Sequence, residues 1–416
     1  MIKRIRIRNF LSFKELDEKL GLRTVLVGPN MSGKSNFLDC LLFLTLAVNP
    51  AVAAAPPGSV PGGAPPAPEP SGLSSALRRA IGYLGGFAEV VWKGTEQIVQ
   101  TLEIGITTEV RTAPRAPAKT FEYDIAIEEI ERHGAIQVVR ERLTMVEARG
   151  QPITLLETQG GQVEYRANAS DKAQTYPMRQ PDRLGLEALS IPGSDLNAFR
   201  DFVSSWRFYK LTPSLMKTAN PSAPQPFLVD LGVNLSSWLF TLQGHPNEFQ
   251  RIRQVALDVF PNLAELLIQP AQAGMVSLGS TERYLKRPVS LARMSDGELA
   301  FLALLSLILA PDKLGAPLYC IEEPETHLHP HLLETLVEIL NQRQRELGPR
   351  AAQIIATTHS PLLVDKLDVK DLVVVEKVDG ATRLTRPASD KQLRKLLERK
   401  ESGLGELWYS GALSRN

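Results

Sequence analysis

Two short stretches bring together residue types able to do chemistry. Residues 28–35, GPNMSGKS, satisfy G-x-x-x-x-G-K-[ST] between a strand-like apolar run and a helix-like one. In that context the small residues of the loop Gly28, Pro29, Asn30, Met31, Ser32 and Gly33 let its available backbone N–H groups wrap phosphate oxygens. The helix N-terminus adds positive potential, Lys34 a point charge and Ser35 a hydroxyl ligand for magnesium. Residues 319–332, YCIEEPETHLHPHL, form the second stretch. Its apolar run ends in adjacent acids, Glu322 and Glu323, where a phosphate loop needs a metal-holding acid at a strand end. Glu322 is then expected to hold magnesium through water, and Glu323 to orient and deprotonate an attacking water.

The same stretch contains His327, His329 and His331, which raises a metal centre as the competing reading. His327 and His331 stand four apart, but Pro330 favours a helix start between them and leaves His327 and His329 in a loop. No cysteine or further histidine stands nearby in sequence to complete four zinc ligands. His331 reads as an exposed helix residue.

The elements that must position these residues follow from apolar periodicity. Residues 2–10 alternate as a half-buried strand with a slip at Lys3 and Arg4, residues 23–27 form a second strand, and 35–48 a buried helix. Residues 50–72 are too rich in proline and glycine, and too poor in bulky apolar side chains, for either element. Runs such as IVQTLEIGI, FEYDIAIEEI and AIQVVRERLTMV predict an antiparallel meander between 97 and about 166. DLNAFRDFVSSWRFY, NLSSWLFTL and EFQRIRQVALDVF predict helices between 194 and 267, with Trp206, Phe208 and Tyr209 packing a core. Beyond 290, helix 297–309, strand 318–321, helix 331–346 and strands 353–356 and 372–375 predict a parallel α/β core.

Composition excludes several classes. The 416 residues carry 47 Lys and Arg against 46 Asp and Glu, a net charge of +1, so no global field favours nucleic acid or an anionic membrane. Basic residues cluster only locally, at Lys3, Arg4, Arg6 and Arg8 and at Arg283, Lys286 and Arg287. The two cysteines, Cys40 and Cys320, lie in apolar runs and read as buried hydrophobes of a reducing compartment. The longest early apolar run, 41–48, is too short to span a bilayer, and a cytoplasmic chain without membrane contact is expected. Leu404, Leu407, Trp408 and Tyr409 are unusually apolar for a chain end and are expected to dock on their own domain or on a partner.

With residues 28–35, Met294-Ser295-Asp296-Gly297-Glu298, Glu322-Glu323-Pro324-Glu325 with Leu328-His329-Pro330, and Thr358-His359-Ser360-Pro361 in this order, the sequence resembles ABC-type ATPases of the SMC/RecF/OLD-like group with an AAA_21 type of core. The resemblance implies an α/β ABC-ATPase head, a P-loop NTPase parallel sheet plus an antiparallel β meander, with a helical insert. It divides the chain into an N-terminal part of the core (1–50), a flexible loop (51–72), a β-rich subdomain (73–190), a helical subdomain (191–289), a C-terminal part of the core (290–385) and a helix and tail (386–416). It also implies ATP and Mg2+ as cofactors and a head-to-tail homodimer. Ser295, Asp296, Gly297 and Glu298 would be the signature that meets the γ-phosphate held by the other protomer, and His359 the switch histidine. Glu325, His327 and His329 would belong to a loop crossing the dimer interface. Asn9, in the segment RNFLSF, matches a stretch lying beside the nucleotide base.

The departures are a signature reading MSDGE, Glu322 where aspartate is commoner, and no clear Q-loop glutamine, Gln97 and Gln100 being the candidates. The residues after His359 are too few for the fused TOPRIM nuclease of OLD proteins, so the resemblance implies a separate nuclease or toxin-like effector in defence against phage or plasmids. Two other readings compete, a RecF-like DNA-binding ATPase of DNA maintenance and a scaffold stabilised by nucleotide with little turnover. A transporter ATPase fits less well.

Overall fold

The computed structural model describes residues 1–49, 75–94, 100–111, 117–131, 135–146, 151–159 and 161–387. The stretch 51–72, Gln97 and the apolar residues at 404–409 lie outside the described residues. The described chain falls into two compact units, 1–206 with 373–387, and 207–372.

In the first unit an antiparallel sheet is made of β1 (Ile2–Phe10), β2 (Phe13–Lys19), β4 (Thr101–Val110), β5 (Lys119–Glu131), β6 (Ala135–Val146), β7 (Ile153–Gln159), β8 (Gln162–Tyr165) and β9 (Gln174–Pro177). Its spatial order is β2, β1, β4, β5, β6, β7, β8, β9, the expected meander with β1 and β2 added at one edge. Ile2, Ile5, Ile7 and Phe10 of β1 are buried. Their uneven spacing has two local causes. The pairing of β1 with β4 shifts register between Ile2 and Arg4, and Asn9 takes a left-handed φ of 55°, which breaks the two-residue alternation before Phe10. Beside this sheet in sequence, β3 (Arg23–Val27) neighbours β17 (Leu372–Val378), which turns back antiparallel into β18 (Ala381–Thr385). Helix α1 (Lys34–Val48) follows β3 and buries Phe37, Cys40, Leu41, Phe43, Leu44, Ala47 and Val48, apolar on most sides as its sequence predicts. Shorter helices α2 (Ala76–Tyr83), α3 (Phe87–Val90), α4 (Gly185–Ala188) and α5 (Asp195–Ser204) complete the unit.

The second unit has a parallel sheet of β10 (Arg207–Tyr209), β15 (Leu318–Glu322) and β16 (Gln353–Thr358). Around it come α6 (Pro213–Met216), α7 (Leu235–Gln243), α8 (Pro246–Val259), α9 (Asp296–Ile308), α10 (Pro330–Leu347) and α11 (Pro361–Asp365). A second, antiparallel sheet joins β11 (Asn220–Pro221), β13 (Met275–Glu282) and β12 (Leu263–Ala271), with β14 (Val289–Ser290) also on β13. The stretch 191–289 is therefore helical only in part.

One predicted helix needs correction. Residues 195–204 are helical, but Arg207–Tyr209 is a strand paired in parallel with Tyr319–Ile321. Aromatic residues fit a pleated surface, and the pairing with β15 overrides a helical spacing that ran on by coincidence. Trp206 and Tyr209 are buried, as core packing required. Cys40 and Cys320 are also fully buried, which raises both thiols well above their ordinary pKa.

A buried carboxylate ties the first unit together. Glu141 on β6 is inaccessible to solvent and accepts from Tyr123 Oη (2.8 Å), Thr158 Oγ1 (3.0 Å) and the Gly185 and Leu186 N–H groups (2.5 and 3.0 Å). Burial raises its pKa, while these donors pull it down. Glu141→Gln places an amide donor against the groups that donate to this carboxylate. It should cost about 2–4 kcal/mol of stability, read as a lower urea midpoint at unchanged slope.

Candidate functional site

The phosphate-loop candidate sits between β3 and α1 in the first unit. Two glycines are required there sterically. A Cβ on Gly28 would lie 2.1 Å from the Val375 carbonyl oxygen, and one on Gly33 would lie 2.2 Å from Thr382 Oγ1, at a left-handed φ of 104°. Thr382 Oγ1 donates to the Ser32 carbonyl (2.8 Å), its N–H donates to the Ser12 carbonyl (2.7 Å), and Asn36 Nδ2 donates to Ser12 Oγ (2.8 Å). The turn of RNFLSF and strand β18 thus brace the loop from behind. The Asn9 side chain donates to the Thr101 carbonyl (3.1 Å), which commits it to the start of β4.

Lys34 is buried, and its Nζ donates to the loop's own Gly28 and Pro29 carbonyls, both at 3.0 Å. Among the described residues Ser32 Oγ is buried without a partner; Met31 is 85% exposed at φ 65°, and Ser35 is exposed at the first turn of α1. An ammonium, a buried hydroxyl without an acceptor and a helix N-terminus fit phosphate oxygens. The Ser35 hydroxyl is a hard oxygen donor suited to magnesium.

The acidic candidate lies in the second unit at the end of β15. Glu322 Oε2 is 2.9 Å from Lys210 Nζ, and only 20% of its side chain is exposed. Glu323 departs from the strand at φ 44°, held by its N–H to the Thr357 carbonyl (3.1 Å) and Oγ1 (3.3 Å). That conformation is costly for a residue with a side chain, and it presents the carboxylate 3.4 Å from His359 Nε2. Glu325 points inward, so that Oε1 accepts from Thr358 Oγ1 (2.7 Å) and from the His359 N–H (2.9 Å), while Oε2 is buried without a partner among the described residues. Sequence reading placed Glu325 in an interface loop; in the structure it fixes the backbone that carries His359.

His327 (φ 69°) and His329 precede α10, as Pro330 implies, and His329 Nδ1 caps the helix by accepting from the His331 N–H at 3.4 Å. His331 is exposed. Among the described residues no three His, Cys, Asp or Glu side chains gather as a metal centre would need.

The signature candidate forms the exposed start of α9. Ser295 and Glu298 make a capping box, in which the Glu298 N–H donates to Ser295 Oγ (3.2 Å) and the Ser295 N–H to Glu298 Oε2 (2.7 Å). Asp296 pairs with Lys217 Nζ at 2.7 Å, which lowers its pKa, and its other oxygen is 3.9 Å from His327 Nδ1. A Cβ on Gly297 would stand 3.0 Å from the His327 carbonyl, so the histidine loop packs against the signature turn.

The family described as "AAA domain, putative AbiEii toxin, Type IV TA system" matches residues 151–365, just over half of the chain and all of its acidic and signature residues. The chain belongs to the AAA_21 family. Among solved structures, this AAA_21 chain is similar to the SMC head bound to the C-winged helix domain of ScpA, with a TM-score of 0.50, 13% identity and coverage of 92% of this chain and 97% of that one. Two others are an SMC head with an extended coiled coil bound to the C-terminal domain of ScpA, derived from Pyrococcus furiosus (TM-score 0.47, 14% identity, coverage 96% and 99%), and the SMC head from Thermotoga maritima (0.41, 15%, 92% and 98%). No curated protein matches the sequence. The AAA_21 chain therefore has the α/β fold of ABC-type ATPase heads.

Sequence reasoning missed Lys210, Thr382 and Ser12. Lys210 was hidden because the run before it, ending in WRFY, was read as helix, whereas Thr382 and Ser12 are brought to the loop only by strand pairing. Gln100, a Q-loop candidate, lies before β4, where its carbonyl accepts from the Glu129 N–H. Replacing Glu325 by Ala removes the acceptor of Thr358 Oγ1 and of the His359 N–H. If His359 serves hydrolysis, the Glu325→Ala variant should lose about ten- to a hundredfold in steady-state phosphate release with little change in ATP affinity, measured by equilibrium nucleotide binding.

Proposed function

We propose that the chain binds and hydrolyses MgATP, dimerises on ATP and uses that cycle to control a separate effector in defence against phage or plasmids, in the cytoplasm. The observation that carries the enzymatic part is the strained Glu323. Its left-handed backbone is held by Thr357, with His359 Nε2 at 3.4 Å and Glu322 beside it in sequence. In this reading the loop at 28–35 binds the triphosphate, with Lys34 leaving its carbonyls for phosphate oxygens. Bound magnesium would neutralise phosphate charge, with Ser35 and Glu322 as its protein oxygens, Glu322 through water. Glu323 takes a proton from the attacking water, and His359 orients the carboxylate and senses the γ-phosphate.

Dimerisation is supported by chain economy: with one phosphate loop and one signature turn per chain, two complete sites need two copies, each lending Ser295, Asp296, Gly297 and Glu298 to the other. The exposed start of α9, with its positive helix end, suits a phosphate presented by a second protomer. The defence role rests on the family description, which names a putative toxin and a type IV toxin–antitoxin system. No helix among the described residues is long and apolar enough to cross a membrane.

A second reading, an ATP-dependent DNA clamp, draws on the turn between β13 and β14. Arg283, Tyr284, Leu285, Lys286 and Arg287 are all exposed there, Tyr284 to 84%, and the three cations form no ion pair among the described residues. Cations flanking an exposed aromatic suit phosphates and a stacked base.

Glu323→Gln tests both readings. It should retain ATP binding, lower turnover by about a hundred- to ten-thousandfold and accumulate an ATP-bound dimer by size-exclusion light scattering. Wild-type turnover in this variant would contradict the assignment. Duplex DNA binding by the trapped dimer that is lost on charge reversal at Arg283 and Arg287 would favour the clamp.

A further inference from the structure

Lys210 is absent from the motifs, yet it pairs with Glu322 at 2.9 Å. Strand β10 runs parallel to β15 in the register Arg207 with Tyr319, Phe208 with Cys320 and Tyr209 with Ile321, so the next residue of β10, Lys210, stands beside Glu322. Its backbone is fixed, because its N–H donates to the Asp230 carbonyl (3.1 Å) and the Thr212 N–H donates to Leu231 (3.1 Å). The side chain is 75% exposed and reaches from solvent to a carboxylate only 20% exposed. Both line a cavity of about 220 Å3 together with Thr212, Ala300, Glu323 and His327, so the pair borders open space from which a cation can approach.

Charge explains the contact. Glu322, Glu323 and Glu325 lie within four residues, and each has a different partner. Glu325 takes Thr358 and a backbone N–H, Glu323 faces His359, and Glu322 takes Lys210. A partly buried carboxylate crowded by like charges is stabilised by a cation beside it. The most exposed member of the pair is the one that can leave at least cost, since the lysine regains water as it goes.

We infer that Lys210 is a resident counter-ion of Glu322 that a divalent cation must displace, so that this lysine sets the metal concentration at which the site becomes active. The inference rests on Glu322 being the metal-side acid of the proposed ATP site. Lys210 is a positioning residue here, acting through Glu322. Its removal therefore eases metal entry rather than abolishing it. The segment that carries it ends at Lys217, paired with Asp296 at the start of α9, so the lysine's departure occurs within the loop and short helix that also brace the signature turn.

The test is Mn2+ uptake by the full chain with a non-hydrolysable ATP analogue, followed by electron paramagnetic resonance of free Mn2+. Lys210→Gln, with an unchanged melting temperature, should lower half-saturating Mn2+ about two- to fivefold, the range of an exposed ion pair. Lys210→Arg should stay near wild type, and the difference should shrink at high salt. In a Glu322→Gln background, Lys210→Gln should have no effect. An unchanged or raised midpoint in Lys210→Gln overturns the inference and leaves the ATP site standing. Absence of nucleotide-dependent Mn2+ uptake in the wild type overturns both.

Discussion

Three carboxylates within four residues at the end of one parallel strand cannot share a site unless each is given its own compensation. Charge-separated partners solve this in the second unit. Glu325 is turned inward onto Thr358 and the His359 N–H, Glu323 is swung out by a left-handed backbone toward the imidazole, and Glu322 stays in line with β15 under Lys210. The divergence of the three side chains depends on that one strained φ. A Glu323 in extended conformation would continue the strand's alternation and could not be held by Thr357 in the same way. The surrounding structure that enforces the strain is the register of β15 on β16, which pairs Glu322 with Thr357 and delivers Thr357 to the Glu323 N–H.

The first unit solves the complementary problem, gathering donors where an anion is to be held. Close approach of Val375 and Thr382 forbids side chains at Gly28 and Gly33; Thr382, remote in sequence, holds the loop at the Ser32 carbonyl, and Ser12 links Thr382 to Asn36. Lys34 is meanwhile satisfied by carbonyls of its own loop. Within each unit the candidate residues are thus internally compensated, Lys34 by carbonyls in the first and Glu322 by a lysine in the second. Binding of MgATP would exchange these contacts for stronger ones.

Much of this was legible in sequence because the signals were local. The Gly28 to Ser35 spacing, the apolar run into Glu322 and Glu323, and Pro330 at the head of α10 each depend on a few contiguous residues. The meander was legible because β4, β5 and β6 are long and rich in β-branched and aromatic residues. What escaped was set by tertiary pairing. The strand FKELDEK is dominated by charge and gains its place only against β1, and β12 and β13 define each other in a stretch read as helical. Arg207–Tyr209 is too short for its own periodicity and becomes a strand because β15 lies beside it, which is why Lys210 went unseen. The hydrogen bonds of Glu325 escaped for a similar reason, since its partners at 358 and 359 are distant in sequence.

The central claim is that the loop at 28–35 is a nucleotide site whose charge is supplied by Lys34. Isothermal titration of the chain with MgATP measures this without reference to turnover, dimerisation or effector. Saturable binding of one nucleotide per chain, weakened by at least about tenfold in Lys34→Ala, is the result the account predicts. Equal affinity in the wild type and Lys34→Ala, or no binding by either, would contradict it.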